Sequence, residues 1–263
     1  MRRRPALAPS LVVAGALLLA ACGGSSSGAD APAGASSGGL SGEITVLAAA
    51  SLTSSFQTLG TQFQDANPGT TVTFSFGASS ALVTQITQGA PADVFASASQ
   101  KNMDAVVAAK AATTSTPFAR NVMEIAVPPE NPGNVTRLSD LARPGVKVAL
   151  CQAAVPCGAT AAKVFENAKL TVRPVTEEAD VKATLAKVSL GEVDAGVVYV
   201  TDVLAAGDAV KGVEIPADVN ASTTYPIAPL TASRNAAVAR AFVDYVLSAE
   251  GQKVLAGAGF QAP

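Results

Sequence analysis

Ile44-Thr45-Val46-Leu47, followed by Ala48-Ala49-Ala50-Ser51-Leu52, is the stretch that decides the fold of this chain. The apolar run predicts a strand, the alanines predict a tight turn, and Ser51 lies where the next helix begins. The first N–H groups of a helix have no partner within the helix, and the helix dipole is positive there. Ser51 and these N–H groups therefore offer donors to an anion. The alternative interpretation of Ser51 is an ordinary N-cap.

Strand and helix signals alternate along the rest of the chain, which predicts an α/β fold with a mainly parallel, covered sheet. The main strand signals lie at residues 44–47, 71–76, 93–96, 122–127, 146–150 and 193–200. The simplest arrangement is two lobes, each a mainly parallel sheet flanked by helices, with a ligand cleft that closes by hinge motion. We expect lobe 1 to comprise residues 42–121 and 226–263, and lobe 2 to comprise residues 122–225.

The N-terminal residues 1–22 have the pattern of a targeting signal, with a basic start and an apolar run at residues 11–20 that is shorter than the ~20 residues of a membrane span. The run ends in Leu19-Ala20-Ala21-Cys22, which resembles the lipobox of bacterial lipoproteins. We therefore expect lipidation of Cys22, a flexible tether over residues 23–41, and a globular part held at the extracytoplasmic face of the cell membrane. The alternative is a plain secretory signal with an incidental cysteine.

Composition excludes several functions. The formal net charge is −2 and the signal segment holds three arginines, so the mature chain is more acidic still. Nucleic-acid binding selects a basic face and is not expected. Histidine is absent, which excludes a Ser-His-Asp or Cys-His nucleophile and removes the usual zinc ligand. We expect no enzyme and no cofactor, with a Ser–Lys pair as the remaining enzymatic alternative.

Two cysteines remain once Cys22 is assigned to lipidation. Cys151 and Cys157 would lie in an oxidising compartment, where a disulfide between them is favoured. Closing so short a loop stabilises the fold by roughly 2 kcal/mol through chain entropy. The alternative is a pair of free thiols.

Four predicted helix starts carry small or hydroxyl residues, or free backbone amides, and two fall in each expected lobe. They are Ser51, Gly77-Ala78-Ser79-Ser80, Val155-Pro156-Cys157-Gly158 and Glu178-Ala179-Asp180-Val181. If the cleft brings them together, they form a ring of neutral donors around one small oxyanion.

Motifs spread over residues 43–260 resemble, in the same order, those of the periplasmic molybdate-binding proteins of ABC transporters. They are Ala48-Ala49-Ala50-Ser51-Leu52, Phe76 with Ser79-Ser80, Gly89-Ala90-Pro91-Ala92-Asp93-Val94-Phe95, Val155-Pro156 with Gly158, Asp180-Val181, and Val197-Val198-Tyr199 before Asp202. The resemblance implies a two-lobed periplasmic-binding-protein fold of type II. It also implies a monomer that captures molybdate or tungstate and delivers it to a membrane permease.

The resemblance further implies five positions that bind the oxyanion. Ser51 and Ser79 would donate from hydroxyls and amides, Cys157 and Val181 from backbone amides, and Tyr199 from its hydroxyl. The family usually has alanine where this chain has Cys157, a change that an amide donor tolerates. Each position also has a plain structural interpretation: Ser79 as a helix cap, Val181 as a packing residue, and Tyr199 as a core aromatic with its hydroxyl at the surface.

Two other anion or metal binders on the same fold are the functional alternatives. A sulfate binder would use a similar set of donors for a smaller tetrahedral anion. A ferric-ion binder would need clustered tyrosines with a histidine or carboxylate, whereas Tyr199, Tyr225 and Tyr245 are not adjacent in the sequence. We interpret Asp93 as structural, because a carboxylate repels a dianion.

Overall fold

The computed structural model describes residues 39–263, so the predicted signal, Cys22 and residues 23–38 of the tether lie outside the described residues. The described part contains nine strands: β1 (Gly42–Ala49), β2 (Thr70–Gly77), β3 (Val94–Ala96), β4 (Thr116–Val127), β5 (Val148–Cys151), β6 (Thr176–Glu178), β7 (Ala195–Tyr199), β8 (Lys211–Glu214) and β9 (Ser222–Pro229). Its α-helices are α1 (Thr53–Ala66), α2 (Ser79–Thr87), α3 (Gln100–Ala108), α4 (Pro156–Asn167), α5 (Val181–Ser189), α6 (Val200–Ala206), α7 (Ala236–Leu247) and α8 (Ala249–Gly257).

The strands are ordered β2-β1-β3-β9-β4-β7-β5-β6, and β8 pairs with β4. Strands that are linked by helices pair in parallel: β1 with β2 and β3, and β5 with β6 and β7. The antiparallel pairs all involve β4 or β9. The alternation of strands and helices thus yields the predicted α/β fold, with β4 and β9 joining its two halves.

Each half has its own hydrophobic core. One core packs β1 and β3 against α1 and α7, around the aromatic rings of Phe56, Phe63 and Phe242. The opposite face of the same strands packs against α2 and α3 through Leu82, Phe95 and Met103. The other half buries residues of β5 and β7 against α4 and α5. These halves are the two lobes; the predicted boundaries at residues 121–122 and 225–226 stay predictions.

β4 differs most from the sequence-based expectation, because it begins at Thr116 and not at residue 122. Its first part pairs with β9, with a register shift between Pro117 and Ala119, and its second part pairs with β7 and β8. The first part contains Pro117, Arg120 and Asn121, which break the apolar run that marks a strand. The short β6 was likewise not predicted, because its Thr-Glu-Glu sequence lacks an apolar pattern.

None of the helices within residues 39–263 is both long and apolar enough to cross a membrane.

Candidate functional site

Four chain segments end a strand and begin a helix around one small cavity. β1 leads into a 3₁₀ turn at Ala50–Leu52, β2 leads into α2, β5 leads to α4, and β6 leads to α5. Because β1 and β2 are parallel, as are β5 and β6, the carboxyl ends of each pair lie on the same edge of their sheet. Ligands of open α/β sheets bind at that edge. The four predicted helix starts therefore meet as expected.

This central cavity has a volume of about 20 Å³. A water molecule needs ~10–15 Å³, whereas pockets for drug-sized ligands measure ~300–1,000 Å³. The space therefore suits a small ion and not a sugar or peptide. Among the described residues, those that line it are 49–51, 77–79, 98, 155–157, 180, 181 and 199. All five positions predicted to bind an oxyanion, Ser51, Ser79, Cys157, Val181 and Tyr199, are in this set.

Ser51 is buried in the 3₁₀ turn, and its side chain caps no helix. Its Oγ instead lies 2.8 Å from the Oη of Tyr225, a buried residue of β9. The N-cap interpretation of Ser51 is therefore wrong. Nothing in the sequence linked Tyr225 to Ser51, since the two residues are 174 positions apart.

Ser79 is the first residue of α2 and is only 1% exposed. Its Oγ accepts a hydrogen bond of 2.9 Å from the backbone N–H of Ala98, just after β3. The residue before the helix is Ala78, and no side chain caps the helix, so the interpretation of Ser79 as a cap is also wrong. Because the Ser79 oxygen accepts from Ala98, its proton remains available to a ligand.

Cys157 lies in the first turn of α4 and is joined to Cys151 by the predicted disulfide, with 5.8 Å between their Cα atoms. Pro156 occupies the start of the helix, where its missing N–H costs nothing. Gly158 follows, and a Cβ there would lie 2.0 Å from the carbonyl oxygen of Gln152. The helix start thus packs directly against the backbone that leaves β5, and only glycine fits.

Val181 is the first residue of α5 and is buried. The Asp180 carboxylate accepts a hydrogen bond of 2.9 Å from the N–H of Ala183, which caps the helix. Asp180 is the only acidic or basic side chain among the described residues that line the cavity. The Val181 side chain belongs to the hydrophobic core of its lobe, which agrees with its interpretation as a packing residue. Its backbone N–H lies at the start of α5.

Tyr199 ends β7, and its side chain is 1% exposed. Within residues 39–263 its Oη makes no hydrogen bond of normal geometry, although the Thr160 and Tyr225 hydroxyls lie near it, and an unsatisfied buried hydroxyl is costly. Burial raises the pKa of Tyr199 above its usual range; the nearby Thr160 and Tyr225 hydroxyls oppose this rise and Asp202 adds to it. The hydroxyl therefore stays protonated and acts as a donor. The interpretation of Tyr199 as a core aromatic with a surface hydroxyl is wrong.

Asp202 contacts both the backbone of Tyr199 and the side chain of Lys182. Its Oδ2 accepts a hydrogen bond of 3.2 Å from the Tyr199 N–H, and its Oδ1 lies 3.0 Å from the Nζ of Lys182. Burial raises the pKa of Asp202, and the Lys182 ammonium group opposes that rise. Because Lys182 is in the first turn of α5, this ion pair ties the start of that helix to the end of β7.

Two further expectations concern Asp93 and the tyrosines. Asp93 accepts hydrogen bonds from the Thr45 N–H (2.7 Å) and the Ser233 hydroxyl (2.6 Å), so its structural role is confirmed. Tyr199 and Tyr225, although far apart in the sequence, pack with their ring centroids 6.2 Å apart. No group of three or more Cys, Asp or Glu residues with metal-binding spacing occurs within residues 39–263.

The central cavity therefore combines hydroxyl donors with the amino ends of three α-helices, and it lies between the strand ends of a two-lobed α/β fold. This combination defines a binding protein for a small anion.

Comparison with known proteins gives the same class. Residues 44–261 match the family described as bacterial extracellular solute-binding protein, and the chain belongs to that family. It is 43% identical over 258 residues to the molybdate-binding protein ModA of Mycobacterium tuberculosis, which covers 98% of this chain and 97% of that protein. It is also 31% identical to the putative ABC transporter substrate-binding lipoprotein YvgL of Bacillus subtilis, over 83% of this chain and 86% of that protein.

Among solved structures, the periplasmic molybdate-binding protein of Azotobacter vinelandii superposes with a TM-score of 0.75 at 21% identity, covering 84% of this chain and 99% of that one. The predicted type II fold and the resemblance drawn from the motifs are thus confirmed. The family and relatives are solute-binding proteins, which confirms the prediction of a binding protein and not an enzyme.

Proposed function

We propose that this protein captures molybdate, and also tungstate, in the central cavity and delivers it to the permease of an ABC transporter. The single observation that carries the proposal is the Tyr199 hydroxyl, which is buried at the cavity without a partner among the described residues. A buried O–H without an acceptor costs about 1–3 kcal/mol. An oxyanion in the cavity would supply the acceptor.

The other donors suit the same ligand. The Ser51 and Ser79 hydroxyls and the backbone amides of Cys157 and Val181 all lie at the cavity. Hydrogen bonds to an ionised acceptor are about twice as strong as neutral ones, and helix ends add partial positive charge. A dianion that carries no proton needs only donors. The site therefore requires neither a lysine nor an arginine to bind it.

The choice of molybdate is supported by the relatives, since proteins named as molybdate-binding align over nearly the whole chain. Sulfate has the same shape and charge but is smaller, so a sulfate binder would use the same donors in a tighter cavity. Calorimetry and thermal unfolding of the purified protein with molybdate, tungstate, sulfate and phosphate separate these cases.

We expect tight binding and a large thermal shift with molybdate and tungstate, since a ligand at 100 times its Kd stabilises the folded state by about 2.7 kcal/mol. We expect little response to sulfate or phosphate. A shift with sulfate and none with molybdate would overturn the assignment.

The protein would act outside the cytoplasm, anchored by a lipid on Cys22 and linked to residues 39–263 by the tether. The name of the Bacillus subtilis relative, a putative lipoprotein, supports this anchor. Cys22→Ala should move the protein from the membrane fraction to the soluble fraction of the producing cell, with molybdate affinity unchanged. Light scattering of the purified protein should give the mass of a monomer.

A further inference from the structure

We propose that Tyr225 is a positioning residue: it donates its proton to Ser51, holds the Ser51 hydroxyl as a donor toward the ligand, and so favours anions that carry no proton. This inference rests on the proposed function, because it concerns how the same cavity selects its anion. Neither the motifs nor the relatives assign a role to Tyr225.

The Tyr225 side chain lies behind Ser51 and not in the cavity wall. It is fully buried in β9, with its ring edge-on to those of Phe118, Tyr199 and Phe260. Its Oη lies 2.8 Å from Ser51 Oγ, and within residues 39–263 this is the one hydrogen bond that the Tyr225 hydroxyl makes. The aromatic surroundings fix the ring, so the position of the hydroxyl is set by packing.

The direction of this hydrogen bond follows from where each proton can go. Among the described residues the Tyr225 Oη makes one hydrogen bond of normal geometry, with the Ser51 oxygen; the Tyr199 hydroxyl and the Asn121 amide lie near it but form no such bond with it. If Ser51 donated instead, the buried Tyr225 proton would have no acceptor at hydrogen-bond geometry among the described residues, at a cost typical of an unsatisfied buried donor. Ser51 lines the cavity and can give its own proton to an anion there. Both protons are satisfied when the Tyr225 hydroxyl donates to the Ser51 oxygen and the Ser51 hydroxyl donates to the anion.

Selectivity is the consequence. With Tyr225 donating to it, Ser51 turns its proton toward the cavity, and the Ala98 N–H orients Ser79 in the same way. Neither serine is then set to accept a proton from the ligand. Molybdate needs no acceptor, whereas hydrogen phosphate carries an O–H that does. Without the Tyr225 hydroxyl, Ser51 can rotate and accept that O–H.

The test is a double-mutant cycle with Tyr225→Phe and Ser51→Ala, followed by calorimetry with molybdate and by competition with phosphate. The matched control is Tyr245→Phe, because the Tyr245 hydroxyl donates to Gln62 on the exposed surface at 2.9 Å. We expect Tyr225→Phe to weaken molybdate binding about five- to tenfold, as for a lost hydrogen bond. Phosphate binding should not weaken, so the molybdate-to-phosphate affinity ratio should fall at least as much.

On the Ser51→Ala background, Tyr225→Phe should change molybdate affinity less than about twofold, because its effect passes through Ser51. A second measurement needs no ligand. Ser51→Ala removes the acceptor of the buried Tyr225 hydroxyl and should therefore lower the unfolding temperature. Adding Tyr225→Phe should restore part of the lost unfolding temperature.

Three results would overturn the inference while wild-type protein binds molybdate. One is unchanged molybdate affinity in Tyr225→Phe. Another is an equal loss on both backgrounds, which would indicate packing alone. The third is an equal loss for molybdate and phosphate. If the wild-type protein itself fails to bind molybdate, the proposed function fails first, so the two failures are distinguishable.

Discussion

The two sides of the central cavity present donors of different kinds. The serine side consists of Ser51 and Ser79, whose side-chain oxygens are each bonded to a distant group, the Tyr225 hydroxyl and the Ala98 N–H. The amide side consists of the helix starts at Cys157 and Val181, together with the Tyr199 hydroxyl. On the serine side the donor is a side chain that mutation can delete. On the amide side the two main-chain donors survive replacement of their own side chains by any residue except proline.

The difference shows where each side is vulnerable. The serine side depends on hydrogen bonds that orient its hydroxyls. The amide side depends on backbone geometry, which is fixed by the close approach at Gly158 and by the Asp180 cap. Changes of backbone shape should therefore harm the amide side most, and deletions of single atoms should harm the hydroxyl donors.

The largest effect should come from Gly158→Ala. The added Cβ would lie 2.0 Å from the Gln152 carbonyl oxygen and 2.7 Å from the Cys151 carbonyl oxygen, so the start of α4 must move. We expect a stability loss of about 1–3 kcal/mol or more and loss of measurable molybdate binding. Thermal unfolding and calorimetry check both.

The control for this variant is Gly257→Ala at the end of α8, where a Cβ would meet nothing within 4 Å. It should leave stability and affinity near the wild-type values. Wild-type affinity in Gly158→Ala would show that the amide side tolerates a displaced helix start.

Tyr199→Phe should give the next largest loss of affinity, about 3 kcal/mol, because the ligand would satisfy a hydroxyl that otherwise has no partner in the described protein. The same variant should not lose stability without ligand, and it should gain up to about 1 kcal/mol, since a stranded polar group is removed. Opposite signs for affinity and stability, measured by calorimetry and denaturant unfolding, are the expected result. A loss of stability in the ligand-free variant would contradict this account of the hydroxyl.

Ser79→Ala should weaken molybdate binding by about 1–3 kcal/mol through loss of a charge-assisted hydrogen bond. It should also destabilise the ligand-free protein, because the Ala98 N–H loses its acceptor. Ser80→Ala, one residue further along α2 and outside the cavity lining, is the control. Unchanged calorimetric affinity in Ser79→Ala would remove Ser79 from the site.

The smallest effect on affinity should come from replacing Cys151 and Cys157 together with alanine. The Cys157 N–H remains, so we expect affinity within about threefold of wild type and a stability loss of roughly 2 kcal/mol. Reduced wild-type protein should behave like the variant. Loss of binding in a variant that remains folded would give the disulfide a direct role in holding the amide side.

Much of the site was predictable because its signals are local. A strand, a short turn and a helix start within a few residues marked the four segments that contain Ser51, Ser79, Cys157 and Val181, and the family resemblance selected these positions within them. The Cys151–Cys157 disulfide followed from the count of cysteines. Tyr199 was found only through the resemblance to a known family, because one tyrosine at a strand end carries no distinctive pattern.

Other features had no local signal. The first part of β4 carries a proline and polar residues, so only its pairing with β9 makes it a strand. The N-cap interpretations of Ser51 and Ser79 were wrong because the partners of both hydroxyls come from other elements. Tyr225 and Ala98 are those partners, and each is brought in by the sheet order and not by sequence proximity.

The sequence by itself therefore determined the kind of donors in this protein: hydroxyls and helix starts at the ends of strands, without a cationic side chain among the residues predicted to bind. Local chain chemistry is enough for that, since capping, turn geometry and apolar runs act over a few residues. Only the tertiary structure decided which way the donors point. The Ser51 and Ser79 oxygens form hydrogen bonds with the Tyr225 hydroxyl and the Ala98 N–H, and the sheet order β1-β3-β9 sets the positions of these partners.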